Sequence, residues 1–111
     1  MNSRKHTRYR VEYVGVFSGE RISAQGVILD LSSAGCRARS EDTFKKDELL
    51  GVLIDVPRYK HPLYVTFAVV RWSNGREFGM EFTQMEPEDQ QRLHQLIEQT
   101  KAATSSADTT R

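Results

Sequence analysis

Leu63-Tyr64-Val65-Thr66-Phe67-Ala68-Val69-Val70-Arg71-Trp72, then Ser73-Asn74-Gly75, then Glu77-Phe78-Gly79-Met80-Glu81-Phe82-Thr83: two runs rich in β-branched and aromatic residues flank a turn signal. They read as an antiparallel hairpin. Asn-Gly favours the type I′ turn, whose twist matches that of the strands it joins. At a period of two, Val65, Phe67 and Val69 share one face of the first strand, and Ala68, Val70 and Trp72 the other. Both faces are apolar, which predicts a central strand with a core on one side and a cover on the other. Phe78, Met80 and Phe82 give the second strand one apolar face.

Upstream, Val11 to Phe17 and Ile22 to Leu31 have the same composition around Ser18, Gly19 and Glu20, predicting a second antiparallel pair. Gly15 and Gly26 interrupt these strands and are expected at bends or bulges. Cys36-Arg37-Ala38-Arg39-Ser40 alternates small residues with arginines, as a half-buried strand does. Glu41 to Glu48 is expected as a loop or single helical turn, Leu49 to Val56 as a strand stopped by Pro57, and Arg58 to Pro62 as an exposed connection. Downstream, Glu86-Pro87-Glu88-Asp89 opens a helix, with Pro at the start and acids at the positive end of its dipole. Leu93, Leu96 and Ile97 form its apolar stripe, expected to cover the back of the central strand.

These elements predict a mainly β domain, an antiparallel barrel of about six strands capped by a carboxy-terminal helix. Its expected span is residues 10–100, with a flexible basic arm over 1–9 and a disordered tail over 101–111. Strand order is not legible from pattern. At 111 residues, 38% hydrophobic and 28% charged, the chain supports one modest core and leaves no room for a second catalytic domain. No apolar run approaches the roughly 20 residues needed to span a bilayer, and the polar amino terminus has no secretory h-region. A single cysteine, Cys36, fits a reducing cytoplasm.

Net charge is +1, which argues against a general polyanion binder of DNA or RNA. The charge is unevenly placed: Arg4, Lys5, Arg8 and Arg10 precede the first acid, Glu12. Catalytic signatures are lacking in the sequence. His6, His61 and His94 lack metal-site spacing, Cys36 sits on the small-residue side of its strand, and neither a phosphate-binding Gly-x-x-x-x-Gly-Lys-Ser/Thr loop nor a Gly-x-Ser-x-Gly elbow occurs. The expectation is a non-enzyme without metal or cofactor.

Recognition chemistry is better represented. Asp30-Leu31-Ser32-Ser33-Ala34-Gly35 puts a carboxylate, a hydroxyl and a glycine in one bend. Asp30 accepts at two oxygens, Ser32 donates or accepts, and Gly35 can take positive φ or admit a group close to the backbone. Asp, Ser and Gly are also what an ordinary turn uses. Arg4 and Arg8, four apart, each offer a planar fork that clasps a phosphate or the O6/N7 edge of guanine; a solvated basic tail is the plain alternative. Taken together, forks and carboxylate complement a guanine nucleotide with more than one phosphate.

The chain resembles the PilZ domain family, bacterial receptors for cyclic di-GMP. Arg4 and Arg8 match the family's Arg-x-x-x-Arg, and Asp30, Ser32 and Gly35 its Asp/Asn-x-Ser-x-x-Gly. Val69-Val70-Arg71-Trp72 through Gly79-Met80-Glu81-Phe82 adds a family-like ending before the helix. The resemblance implies a six-stranded antiparallel barrel with a carboxy-terminal helix. It also implies cyclic di-GMP held under the arm, with Arg4 and Arg8 as the clamp, Asp30 and Ser32 as base readers and Gly35 permitting close approach. Lys5, Arg10 and Arg37 are possible auxiliaries, and Arg39 lies on the same side of its strand. Lys45-Lys46-Asp47 stands where relatives often have glycine. The receptor reading assigns output to a separate, unidentified protein partner. Its alternatives are an adaptor that binds protein but no nucleotide, and a barrel for single-stranded nucleic acid using the arm with Tyr9, Tyr13 and Phe17.

Overall fold

The computed structural model describes residues 7–109, the last seven of them as helical backbone. Six strands and one helix follow in order: β1 (Tyr9–Ser18), β2 (Ser23–Leu31), β3 (Gly35–Ser40), β4 (Leu49–Asp55), β5 (Leu63–Asn74), β6 (Glu77–Gln84) and α1 (Pro87–Thr109). Every pairing is antiparallel, and the strands close into a barrel in the order β1-β2-β3-β6-β5-β4. Closure pairs all the strand edges with one another. The β3–β6 and β1–β4 pairings are the non-consecutive contacts that local pattern could not supply.

Inward residues of each strand meet in one core. Phe17, Ile28, Cys36, Ala38, Leu50, Val52, Ile54, Leu63, Val65, Ala68, Val70 and Phe78 are buried there. Phe44, from the charged loop before β4, joins them and completes an aromatic triad with Phe17 and Phe78 at centroid separations of 5.0–6.2 Å. Edge-on and tilted rings at this spacing suit their quadrupoles.

Several expectations are corrected. Gly15 and Gly26 are not bulges; they lie opposite each other in the β1–β2 ladder, and the register shifts fall at Arg10/Tyr13 and Ile28/Asp30. Gly15 makes room for the Ile28 and Phe17 side chains, whose carbons lie 3.1 Å from where its Cβ would stand, while Gly26 admits the β3 backbone, since a Cβ there would stand 2.1 Å from the Arg39 carbonyl oxygen and 3.1 Å from a Phe17 ring carbon. In β5, Val65 does not share a face with Phe67 and Val69. A shift between Phe67 and Ala68 reverses the alternation, so that Leu63, Val65, Ala68 and Val70 all point inward and Phe67 is exposed. The β5–β6 hairpin is present, yet its central residues are Gly75 and Arg76, because Asn74 pairs with Glu77. Among the described residues of the turn only Gly75 has positive φ, at 65°, which is the φ pattern of a type II′ connection rather than the expected type I′.

Asp47 has φ 75°, in the left-handed region that favours glycine and that Asp tolerates better than most residues, so the loop before β4 turns sharply there. The helix α1 also departs from expectation. Leu93 and Leu96 join the barrel core and α1 packs against β5 and β1, yet Tyr64, Phe67 and Trp72 of β5 remain 38–44% exposed, so the helix covers only part of β5. Its first turn is pinned to the β4–β5 connection: Asp89 accepts from the Tyr64 N–H, and Arg92 donates to the His61 and Pro62 carbonyls while lying over the Tyr59 ring. The helix continues to Thr109, beyond Lys101, with Thr100 Oγ1 donating to the Leu96 carbonyl one turn back. No described helix is long and apolar enough to cross a membrane.

Candidate functional site

The polar turn joins β2 to β3 at the barrel end where β1 begins. Ser32 locks it. Its buried hydroxyl accepts the Ala34 and Gly35 N–H groups, each at 3.1 Å, and donates to the Gly35 carbonyl at 3.3 Å; the Ser32 N–H adds a 2.9 Å bond to the same carbonyl. One donor and two acceptor sites are all a hydroxyl has, so Ser32 is fully occupied within the turn. Gly35 does not use positive φ. Its missing Cβ admits β6: a Cβ there would stand 2.2 Å from the Met80 carbonyl oxygen.

Asp30 is the centre of an ionic chain. Its Oδ1 accepts from Arg8 Nη1 and from the Arg37 N–H, and its Oδ2 accepts from Arg37 Nε, each at 3.1 Å. Arg37 Nη1 in turn donates to Glu77 Oε1 at 2.9 Å. The hydrogen bond to Asp30 first, and that to Glu77 second, hold the Arg37 guanidinium pKa above its ordinary value. The β3 alternation explains this placement, for Cys36, Ala38 and Ser40 turn inward and Arg37 and Arg39 outward.

Arg8 leads from this chain to a cavity of about 280 Å³, whose lining also includes Ser32, Gly35, Arg71, Trp72 and Glu81. The sequence reading had Arg8, Ser32 and Gly35 and missed the β5 and β6 walls. Trp72, expected on one apolar face with Ala68 and Val70, instead lies 38% exposed against Gly79, whose Cβ would overlap the indole nitrogen. The signal was available in Gly79, since a glycine inside a strand often marks a close approach. Arg71 donates from Nε to Glu81 Oε1 at 2.7 Å on the same wall. Chemically, the cavity combines two guanidinium groups, an accessible indole and a carboxylate, donors and a stacking surface suited to a flat, anionic, hydrogen-bonding ligand.

Of the other predicted residues, Arg10 is exposed on β1 opposite Asp30, and Arg4 and Lys5 lie outside the described residues. His61 and His94 are exposed, and among the described residues no group of three His, Cys, Asp or Glu side chains converges as a metal site. Cys36 is fully buried, and burial pushes its thiol pKa up, with the Asp30 charge adding and Arg8 opposing. The thiolate is the reactive form. Native protein is therefore expected to resist an aromatic disulfide reagent at pH 8 that titrates one thiol in denaturant, and full reaction of the native protein would refute this placement.

The PilZ domain family model matches residues 2–99 of the chain. No curated protein matches it. Among solved structures, the Bacillus subtilis inhibitor of motility (MotI/DgrA) has the same fold, with a TM-score of 0.75 at 21% identity. The match covers 93% of this chain and 53% of that one, so the chain spans about half the length of its structural neighbour.

Proposed function

The chain belongs to the PilZ domain family, a family of cyclic di-GMP receptors, and from that premise we propose that it binds cyclic di-GMP and passes the signal to a separate protein. One observation carries the reading. Arg8 lines one cavity together with Ser32 and Gly35, and it is ion-paired to Asp30, 22 residues away in the chain and just outside that lining. The two motif halves thus address one volume.

In this reading Arg8 and Arg4 clasp ligand phosphates and guanine edges, Asp30 and the Ser32 turn face the base, and the Trp72 indole offers a ring to stack on. Lys5 and Arg10 add positive charge nearby. Arg8 is already paired to Asp30, so it is the arm ahead of Arg8 that folds over the ligand, because Arg4 gains partners there, and the reshaped surface is what the protein partner reads. The cytoplasm, where a cyclic dinucleotide is made and a free thiol survives, is the proposed setting.

Calorimetric titration with cyclic di-GMP, with GTP and cyclic di-AMP as controls, tests the assignment. Selective binding is expected. Arg8→Ala is expected to weaken it by about 1–3 kcal/mol, the usual cost of a lost bidentate charged contact, while leaving the thermal midpoint within a few degrees. Equal affinity in parent and variant would remove Arg8 from the clamp.

A second reading has its own support. The Asp30 oxygens and the Ser32 hydroxyl are already satisfied within the protein, and Val14, Leu49, Leu53, Tyr64 and Phe67 are exposed on β1, β4 and β5. An adaptor that binds protein alone would have these features. It predicts no heat with any nucleotide and unchanged amide relaxation of residues 3–10.

A further inference from the structure

Glu77, Arg37, Asp30 and Arg8 form a continuous chain of alternating charge across neighbouring staves: β6, β3, β2 and the residue that leads into β1. The chain has a direction. Arg37 grips both oxygens of Asp30, through its backbone N–H on Oδ1 and its Nε on Oδ2, which fixes the plane of the carboxylate. Arg8 shares Oδ1 from the open side. Exposure of these side chains falls from 49% at Arg8 to 15% at Asp30, then rises through 31% at Arg37 to 40% at Glu77. The best-shielded carboxylate therefore faces two guanidinium groups, and only Arg8 of the pair lines the cavity.

Arg37 is thereby committed twice. Its Nε serves Asp30, its Nη1 serves Glu77, and the planar guanidinium between them has one orientation that meets both carboxylates. A lysine has one point charge and cannot bridge two anions with that geometry. We propose that Arg37 is a positioning residue for the ligand site: anchored by Glu77, it sets the Asp30 carboxylate so that Arg8 is held at the cavity mouth before ligand arrives. This rests on the cyclic di-GMP reading for its ligand, and it assigns to Arg37 a role exerted through Asp30 and Arg8 and not by touching ligand. An arginine held in place beforehand loses less conformational entropy on binding than a free one.

A double-mutant cycle in the full chain tests this. Arg37→Ala alone is expected to weaken cyclic di-GMP about tenfold, as members of one ion-pair network do. In an Arg8→Ala background the same change is expected to cost less than about twofold, because the residue through which Arg37 acts is gone. Additive losses would mean that Arg37 meets the ligand directly, and no loss would mean that Arg8 needs no holding; either overturns the proposal. If Arg37→Ala fails to fold, Glu77→Ala removes the acceptor at the far end of Arg37 without touching Asp30, and the same non-additivity with Arg8→Ala is required. The chain is also readable without ligand. Slow rotation of the Arg8 guanidinium in nitrogen-15 spectra of the parent is expected to become fast in Arg37→Ala, and unchanged rotation would refute the positioning. That measurement stands even if the parent binds no cyclic di-GMP, in which case the functional reading fails separately.

Discussion

Phe17→Ala is expected to cost about 3–5 kcal/mol of folding stability, the range for emptying a large aromatic from a packed core. The position has little capacity to collapse. The ring fills a hollow made by the facing pair Gly15 and Gly26 and meets Phe78 and Phe44 edge-on, with centroids at 5.2 and 6.2 Å. Neither glycine has a side chain that can move in. Because small domains are stable by only about 5–15 kcal/mol, a variant with this loss unfolds at low urea. The measurement is equilibrium urea denaturation, with an unchanged slope and a midpoint displaced in proportion. A thermal midpoint lower by about 15 °C or more is the corresponding result on heating. Phe17→Leu retains much of the volume and should lose far less. A loss below about 1 kcal/mol in Phe17→Ala would mean that the barrel closes over the gap, contrary to rigid packing of this core.

Gly35→Ala is expected to cost about 3 kcal/mol, at the upper end for forced overpacking, and to abolish ligand binding along with stability. A Cβ at this position would stand 2.2 Å from the Met80 carbonyl oxygen and 3.2 Å from its carbon, both backbone atoms. No rotamer change relieves such a contact. The first residue of β3 must retreat from β6, which strains the Gly35–Glu81 pairing and the 2.8 Å bond from the Phe82 N–H to the Ala34 carbonyl. Gly35, Met80 and Glu81 all line the cavity, so the same retreat reshapes it. The motif glycine and the motif arginine are thereby separable: Arg8→Ala loses affinity while keeping its thermal midpoint, whereas Gly35→Ala loses both. Calorimetry and thermal denaturation on the two variants decide it. A Gly35→Ala protein with the parental midpoint and no affinity would move the reason for this glycine from strand approach to ligand approach.

These two residues mark how far the chain could be read in one dimension. Both were conspicuous in the sequence, Phe17 as the end of a β-branched and aromatic run and Gly35 as the end of a polar motif. The neighbours that set their energetic roles, Phe44 and Phe78 for one and Met80 for the other, come from segments distant in the chain. Trp72 and Gly79 show the same gap, since each was visible as a residue type while their mutual contact exists only across the β5–β6 ladder.

What the sequence alone determined is local: the positions of six strands and of the helix start, the inward set Cys36, Ala38 and Ser40, the Ser73–Gly75 turn signal, and a likeness to the PilZ family that the family model bears out over residues 2–99. Side-chain alternation, turn chemistry and helix opening depend on residues within a few positions of one another, so pattern reports them. The tertiary structure decided the strand order, the parity reversal at Phe67/Ala68, the use of Gly75 and not Asn74 at positive φ, and the exposed side of β5. It also joined Arg8 to Asp30, Arg37 and Glu77. These follow from closing the barrel. Closure fixes one register for all six strands at once, a single inserted residue turns every later side chain to the other face, and an ion pair between distant residues forms only where that shared register brings their strands side by side.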